Sequence, residues 1–108
     1  MQRVKVTYRP GALADLRKIF DDIRDLSGSG VTARRFVDRI MARCRKIGDA
    51  PHGGRPRDDL ALGLRTIPFE RSAVIAYVVG KTVDIVGVYY GGRDYEALYQ
   101  SGEGEDGA

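Results

Sequence analysis

Three β-strand signals stand in a row between residues 64 and 90, and no packing of helices alone can absorb them. Residues 64–70 put Arg65, Ile67 and Phe69 on one face of an alternating strand. Residues 73–79, AVIAYVV, are almost wholly apolar, the mark of a strand buried on both sides. Residues 82–90 alternate again until Gly91-Gly92 breaks them. Gly80-Lys81 supplies a two-residue hairpin turn. Strands this close in sequence pair with their neighbours, so a meander centred on residues 73–79 is expected.

The preceding half has a different period. Val4, Val6 and Tyr8 alternate with Arg3, Lys5 and Thr7, a half-buried strand. Pro10 can open a helix at its first turn. Leu13, Leu16, Ile19, Phe20, Ile23 and Leu26 then fall within an arc of roughly 140° at helical spacing. Ser27-Gly28-Ser29-Gly30 ends that helix, and Thr32 is the expected N-cap of a second. Phe36, Val37, Ile40, Met41, Cys44 and Ile47 form its apolar face, with Arg35, Arg39, Arg43 and Lys46 grouped opposite and Gly48 as the stop. So short a link makes the two helices an antiparallel hairpin. A loop follows over residues 49–63, and residues 94–100 suit a short last helix with Leu98 turned inward.

The expected fold class is therefore α+β, in the order β-α-α-β-β-β. A mostly antiparallel twisted sheet of about four strands carries the N-terminal helical hairpin on one face. Residues 1–100 form a single domain, and residues 101–108 form an acidic tail expected to be disordered.

Charge narrows the function classes. The whole chain carries a net +3, but three of its acids sit in the tail, leaving residues 1–100 with 18 basic against 12 acidic residues. Fourteen of the bases are arginine, the side chain suited to forked recognition of carboxylate or phosphate. An acidic partner is implied, either nucleic acid or polypeptide. No apolar run approaches the roughly 18 residues that span a membrane, and the first residues lack the apolar core of a secretory signal. With one cysteine there is no internal disulfide, so a cytoplasmic location is expected.

Residues of the kind enzymes use are scarce. His52 is the only histidine and sits in a Pro/Gly-rich loop, so no metal site is expected. Cys44 belongs to an apolar helix face, which makes it a core thiol rather than a nucleophile. No Gly-rich phosphate loop is present and no cofactor is expected. Asp21-Asp22 and Asp58-Asp59 are adjacent pairs whose side chains diverge, better read as solvated or arginine-paired than as acid/base couples. The remaining signal is Arg55, Arg57, Arg65, Arg71 and Arg93, accompanied by Tyr77, Tyr89, Tyr90, Tyr95 and Tyr99. Such a mixture can bind single-stranded nucleic acid or form a protein-binding surface. Tyr77 and Tyr89, within apolar strands, are expected in the core.

In this order the pieces resemble the ParE branch of the RelE/ParE superfamily, the small bacterial toxins of type II toxin–antitoxin systems. The likeness runs over VTYRPGALAD at residues 6–15, the second helix and following proline at 33–51, GRPRDDLALGLRTIPF from Gly54, and VDIVGVYYGGRDYEAL from Val83. It implies a toxin held silent by a cognate ParD-like antitoxin. ParE-like members poison DNA gyrase; RelE-like members cut messenger RNA on the ribosome, and both readings stay open, as does a non-toxic basic module that binds nucleic acid. Gly87 stands where relatives often carry arginine, and Tyr90 where ParE-like chains often carry histidine. The expected target surface is Tyr90, Arg93 and Asp94 on the turn after the last strand. A nuclease would draw on Arg65, Arg71, Tyr90 and Arg93. Antitoxin contacts are expected at Arg55, Arg57, Arg65, Arg71, Leu13 and Phe20. No direct DNA binding is expected without the antitoxin.

Overall fold

The computed structural model describes residues 3–100 of the chain; the acidic tail lies outside the described residues. The order is β1 (Val6–Tyr8), α1 (Pro10–Ser27), α2 (Gly30–Ile47), a 3-10 turn at Pro51–Gly53, β2 (Arg55–Pro56), β3 (Arg65–Phe69), β4 (Ala73–Val79), β5 (Val83–Tyr90) and α3 (Tyr95–Gln100). This is the expected α+β order with one addition. The sheet has five strands in the order β1-β5-β4-β3-β2, because Arg55 and Pro56 pair with Thr66 and Arg65. β4 is central, antiparallel to β3 and β5, and β1 runs parallel to β5 with Val6 opposite Val83.

Alternation decides which side chains meet the helices. Ile67 and Phe69 of β3, Ala73, Ile75 and Tyr77 of β4, and Val83, Ile85 and Val88 of β5 face the hairpin. They pack on Ala12, Leu16, Ile19 and Ile23 of α1 and Ala33, Ile40, Cys44 and Ile47 of α2. Cys44 is fully buried, and burial pushes its thiol up to about 11, so the core-thiol reading holds. The reverse face is covered too. A second cluster joins Leu64, Ala76, Val86 and Tyr89 to Tyr99 of α3, with Leu60 and Ala61 of the preceding loop at its margin. A bulge opposite residues 76–77 takes up one residue of β5 and shifts its alternation, so that Val83 and Ile85 before it and Val88 and Tyr90 after it face the helices, while Val86 and Tyr89 face the other way.

Two local expectations are corrected. The N-cap of α2 is Ser29, not Thr32: its extended backbone lets its Oγ accept the Thr32 N–H at 3.2 Å. The β4–β5 connection spans residues 80–82, since Val79 pairs with Val83 and the Gly80 N–H donates to the Thr82 carbonyl. Leu98 turns inward as expected, packing at the margin of the second cluster, and Tyr99 is the deepest residue of α3.

Candidate functional site

Two turns meet at one end of the sheet. The first joins β3 to β4 and the second joins β5 to α3; the Gly91 N–H donates to the Ser72 carbonyl at 3.0 Å, locking them together. In the first turn Glu70 and Arg71 both lie in the left-handed region, at φ 47° and 61°, and the Ser72 N–H closes the turn on the Phe69 carbonyl. Neither is glycine, so the conformation is strained. It is held from α2: Arg39 donates from Nε and a terminal nitrogen to the two Glu70 oxygens at 2.8 and 3.1 Å. That contact holds the Glu70 carboxyl below its ordinary range. In the second turn Gly91 and Gly92 both have φ 76°, which glycine adopts without cost.

The turns border a cleft of about 180 Å³ on the face away from the hairpin, lined by Pro68, Arg71, Ser72, Val74, Arg93 and Tyr95 among others. Tyr89 forms part of its floor, stacked on Tyr95 with ring centres 5.3 Å apart and 5° between planes. Arg93 extends over the Tyr89 ring at 5.9 Å and, among the described residues, makes no ion pair. A salt bridge from Arg93 to Asp94 is thus absent there. The Asp94 carboxylate instead accepts the Ala97 N–H at 3.3 Å, at the start of α3.

The other expected site residues lie off this cleft. Tyr90 points to the helical face, half-buried with its ring edge-on to Phe36 at 5.4 Å, and shares with Arg93 a small hollow on that side. Arg65 is at the opposite end of β3, where it pairs with Tyr77 and donates to the His52 and Gly54 carbonyls at 3.0 and 2.8 Å. Tyr90 pairs with Ala73, four residues along β4, so roughly 13 Å of strand separates the Arg65 end from the Tyr90 end. The sheet brings Arg71 and Arg93 together and leaves Arg65 apart.

Position 87 is physically filled. A Cβ built on Gly87 would press into the Tyr89 hydroxyl, which folds back over it to share a 2.7 Å hydrogen bond with the Tyr99 hydroxyl. Sequence reading saw an arginine missing at Gly87; the space belongs to Tyr89.

Among the expected antitoxin contacts, Arg55 is exposed on the edge strand β2 and Leu13 is 51 % exposed on α1. Phe20 is half-buried beneath the Arg24 guanidinium and, with Arg17, Asp21 and Arg34, lines a shallow hollow across the hairpin. Arg57 departs from expectation. It is 7 % exposed, and its guanidinium is spent on Asp59, Glu96 and the Tyr95 hydroxyl. It ties α3 to the β2–β3 loop and is not displayed to a partner. The acidic pairs behave as expected, with Asp59 on Arg57, Asp58 accepting the Gly63 N–H, Asp21 beside Arg24 and Asp22 beside Lys18. Among the described residues no group of three or more His, Cys, Asp or Glu is placed to hold a metal, and no helix is long and apolar enough to cross a membrane.

Sequence reading missed the strained turn and its Arg39 tether. The available signal was the short gap between the two apolar strand patterns, bridged in the fold by residues 70–72 with Phe69 paired to Ala73.

A helical hairpin on one face of a five-stranded mixed sheet, with Arg71 and Arg93 at the sheet's end, defines a small basic α+β domain of RelE/ParE type. The model of the family described as ParE toxin of type II toxin–antitoxin system, parDE, matches residues 6–95, and the chain belongs to that family. Its fold is similar to that of a solved chain of the chromosomal ParDE TA system from P. aeruginosa, with a TM-score of 0.71 and 24% identity over 82% of this chain and 97% of that one. No match was found among curated proteins.

Proposed function

We propose that this chain is the toxic partner of a ParDE-type pair, that it acts in the cytoplasm by inhibiting DNA gyrase, and that a cognate ParD-like antitoxin silences it. The observation that carries this reading over mRNA cleavage is the division of the cationic set. Cutting a phosphodiester requires an acid or base and several cations converging on one phosphate. Here Arg65 is committed to backbone carbonyls at one end of β3, Arg71 and Arg93 stand at the other, and Tyr89 fills the space at Gly87. A protein-directed inhibitor needs only a rigid, accessible surface, which the turns at the sheet's end supply. Exposed Leu13, the Phe20 hollow and the β2 edge with Arg55 suit an antitoxin segment with apolar and acidic side chains.

The test is to induce the chain alone in bacteria and measure the DNA-damage response and transcript cleavage in one culture. A damage response without cleavage is expected, with growth restored by co-expression of the adjacent small gene product. Cleavage without a damage response would transfer the protein to the nuclease class, and harmless expression would leave a non-toxic module. Arg93→Ala is expected to abolish toxicity with little change in melting temperature, because an exposed cation over one ring contributes only about 0.5–1 kcal/mol. Full toxicity in that stable variant would take Arg93 out of the target surface.

A further inference from the structure

The cleft at the end of the sheet is electrostatically unfinished. Two guanidinium groups border it from two separate turns, and among the described residues neither Arg71 nor Arg93 has a carboxylate partner. The three carboxylates nearest in sequence all serve other donors. Glu70 is taken by Arg39, Glu96 by Arg57, and Asp94 accepts the Ala97 N–H. The other carboxylates beside Arg93 are Asp15 and Asp22, which line a neighbouring hollow of about 50 Å³ with Tyr90; Asp15 accepts the Val88 N–H and Asp22 pairs with Lys18. The walls between the two arginines are apolar, from Pro68, Val74 and the Tyr89–Tyr95 stack, with the Ser72 backbone held in the turn.

A second, independent observation concerns the backbone. Arg71 is presented by a turn whose two central residues are non-glycine and left-handed, and Arg39 reaches across from α2 to hold it there. Strain of this kind persists where the surroundings over-determine it, and it concentrates at ligand clamps. A glycine would satisfy the turn more cheaply but would put no cation beside the cleft.

We propose that this cleft binds one acidic side chain of a protein partner, an Asp or Glu flanked by apolar residues. Arg71 and Arg93 close on the carboxylate from opposite walls, and the apolar neighbour lies against Pro68 and Tyr95. A volume of about 180 Å³ accommodates a side chain or two, below the roughly 300 Å³ at which small-molecule pockets begin. A nucleic-acid strand would need cations continuing along its backbone, and the arginines that flank this end of the sheet are spent inside the fold, Arg39 on the Glu70 carboxylate and Arg65, at the far end of β3, on the His52 and Gly54 carbonyls. This assignment rests on reading the chain as a protein-directed inhibitor and names the chemistry its surface grips.

The experiment uses the full chain and three probes: the peptide acetyl-Leu-Glu-Leu-amide, its Gln counterpart, and inorganic phosphate. Binding is followed by the amide NMR signals of Ser72, Gly92 and Tyr95. The Glu peptide is expected to shift those signals and to bind about tenfold tighter than the Gln peptide, the equivalent of one hydrogen bond to a charged group. Arg71→Ala and Arg93→Ala should each lower the Glu-peptide affinity by about that factor, and Arg71→Lys should recover part of the loss. Equal affinity for the Glu and Gln peptides, or shifts away from these residues, overturns the proposal. Phosphate binding as tightly as the Glu peptide also overturns it and makes the cleft a phosphate site. The wild-type comparison of peptides stands even if a variant fails to fold. Because no gyrase is present, a negative titration beside an intact DNA-damage response would remove the cleft and leave the gyrase reading, and the converse result would do the reverse.

Discussion

At Gly87 the backbone of β5 passes directly beneath the Tyr89 side chain, and the Tyr89 hydroxyl, turned toward Tyr99, occupies the place of a β-carbon. Burial pushes both phenols above their usual values, so both stay protonated and the bond between them is neutral. Gly87→Ala should therefore cost about 1–3 kcal/mol by overpacking, read as a melting temperature lower by roughly 4–8 °C per kcal/mol in a domain of this size. An unchanged melting curve would mean that Tyr89 moves aside freely. Tyr99→Phe should cost about 1–3 kcal/mol by leaving the Tyr89 hydroxyl buried and unpaired, whereas the double change Tyr89→Phe with Tyr99→Phe should be close to neutral. A double variant as unstable as the single one would show that packing, not the hydroxyl pair, matters here. None of this was legible in sequence. Tyr89 could be assigned to the core from its place in an apolar strand, but nothing in a linear pattern says that a ring two residues on folds back over a glycine. Arg57 was misjudged for a related reason: its partners Asp59 and Glu96 lie 2 and 39 residues away, and only the second required the fold to be known.

Where the chain is periodic, the elements could be read directly. Spacings of 3.6 and 2 residues report which face is buried, and burial is what holds α1, α2 and β3–β5 in place. The turns carry no such repeat. Gly80-Lys81 suggested a two-residue hairpin and Thr82 joined it, while the left-handed turn of equal length fell at Glu70-Arg71, where no glycine marked it. The short β2 was lost in a loop rich in Gly and Pro because two residues have no measurable alternation. The Glu70-Arg71 turn gives its own prediction. A left-handed non-glycine residue costs about 1–2 kcal/mol, and glycine's extra freedom in the unfolded chain offsets about half of that. Arg71→Gly should raise stability by about 0.5 kcal/mol while removing a cation from the cleft, so that stability and toxicity move in opposite directions. Denaturant titration beside a growth assay checks both, and a destabilised Arg71→Gly chain would show that the Arg71 side chain supports the fold.

Taken as one body, the molecule has a sheet covered on both faces and closed at one edge by a strand from its N-terminal end. Besides the backbone ladder that pairs β1 with β5, a carboxylate ties that edge through its side chain. Asp84 of β5 accepts the Thr7 hydroxyl of β1 and the Thr82 hydroxyl, both at 2.6 Å, with Arg9 3.8 Å away. These hydroxyl bonds, followed by the Arg9 charge, hold the Asp84 carboxyl below its ordinary value, and arginines depress Glu70 and Asp59 in the same direction. A carboxyl with a folded pKa below its unfolded one stabilises the fold fully above the unfolded value, and that contribution is lost as pH falls through the folded value. Stability should accordingly be level near neutrality and decline from about pH 4 downward. Glu70 and Asp59 are solvent-facing and screened, so salt should weaken their share. Asp84 links two strands through neutral hydroxyls, so its share should persist in salt. Asp84→Asn is expected to cost about 1–2 kcal/mol at pH 7, from hydrogen bonds to a charged acceptor, and to flatten the acid decline in high salt. Urea midpoints measured from pH 7 to pH 2.5, at low and high salt, provide the check. An acid decline of the same slope in Asp84→Asn as in the parent chain would place the acid-sensitive contact elsewhere and remove Asp84 as a side-chain tie between β1 and the sheet.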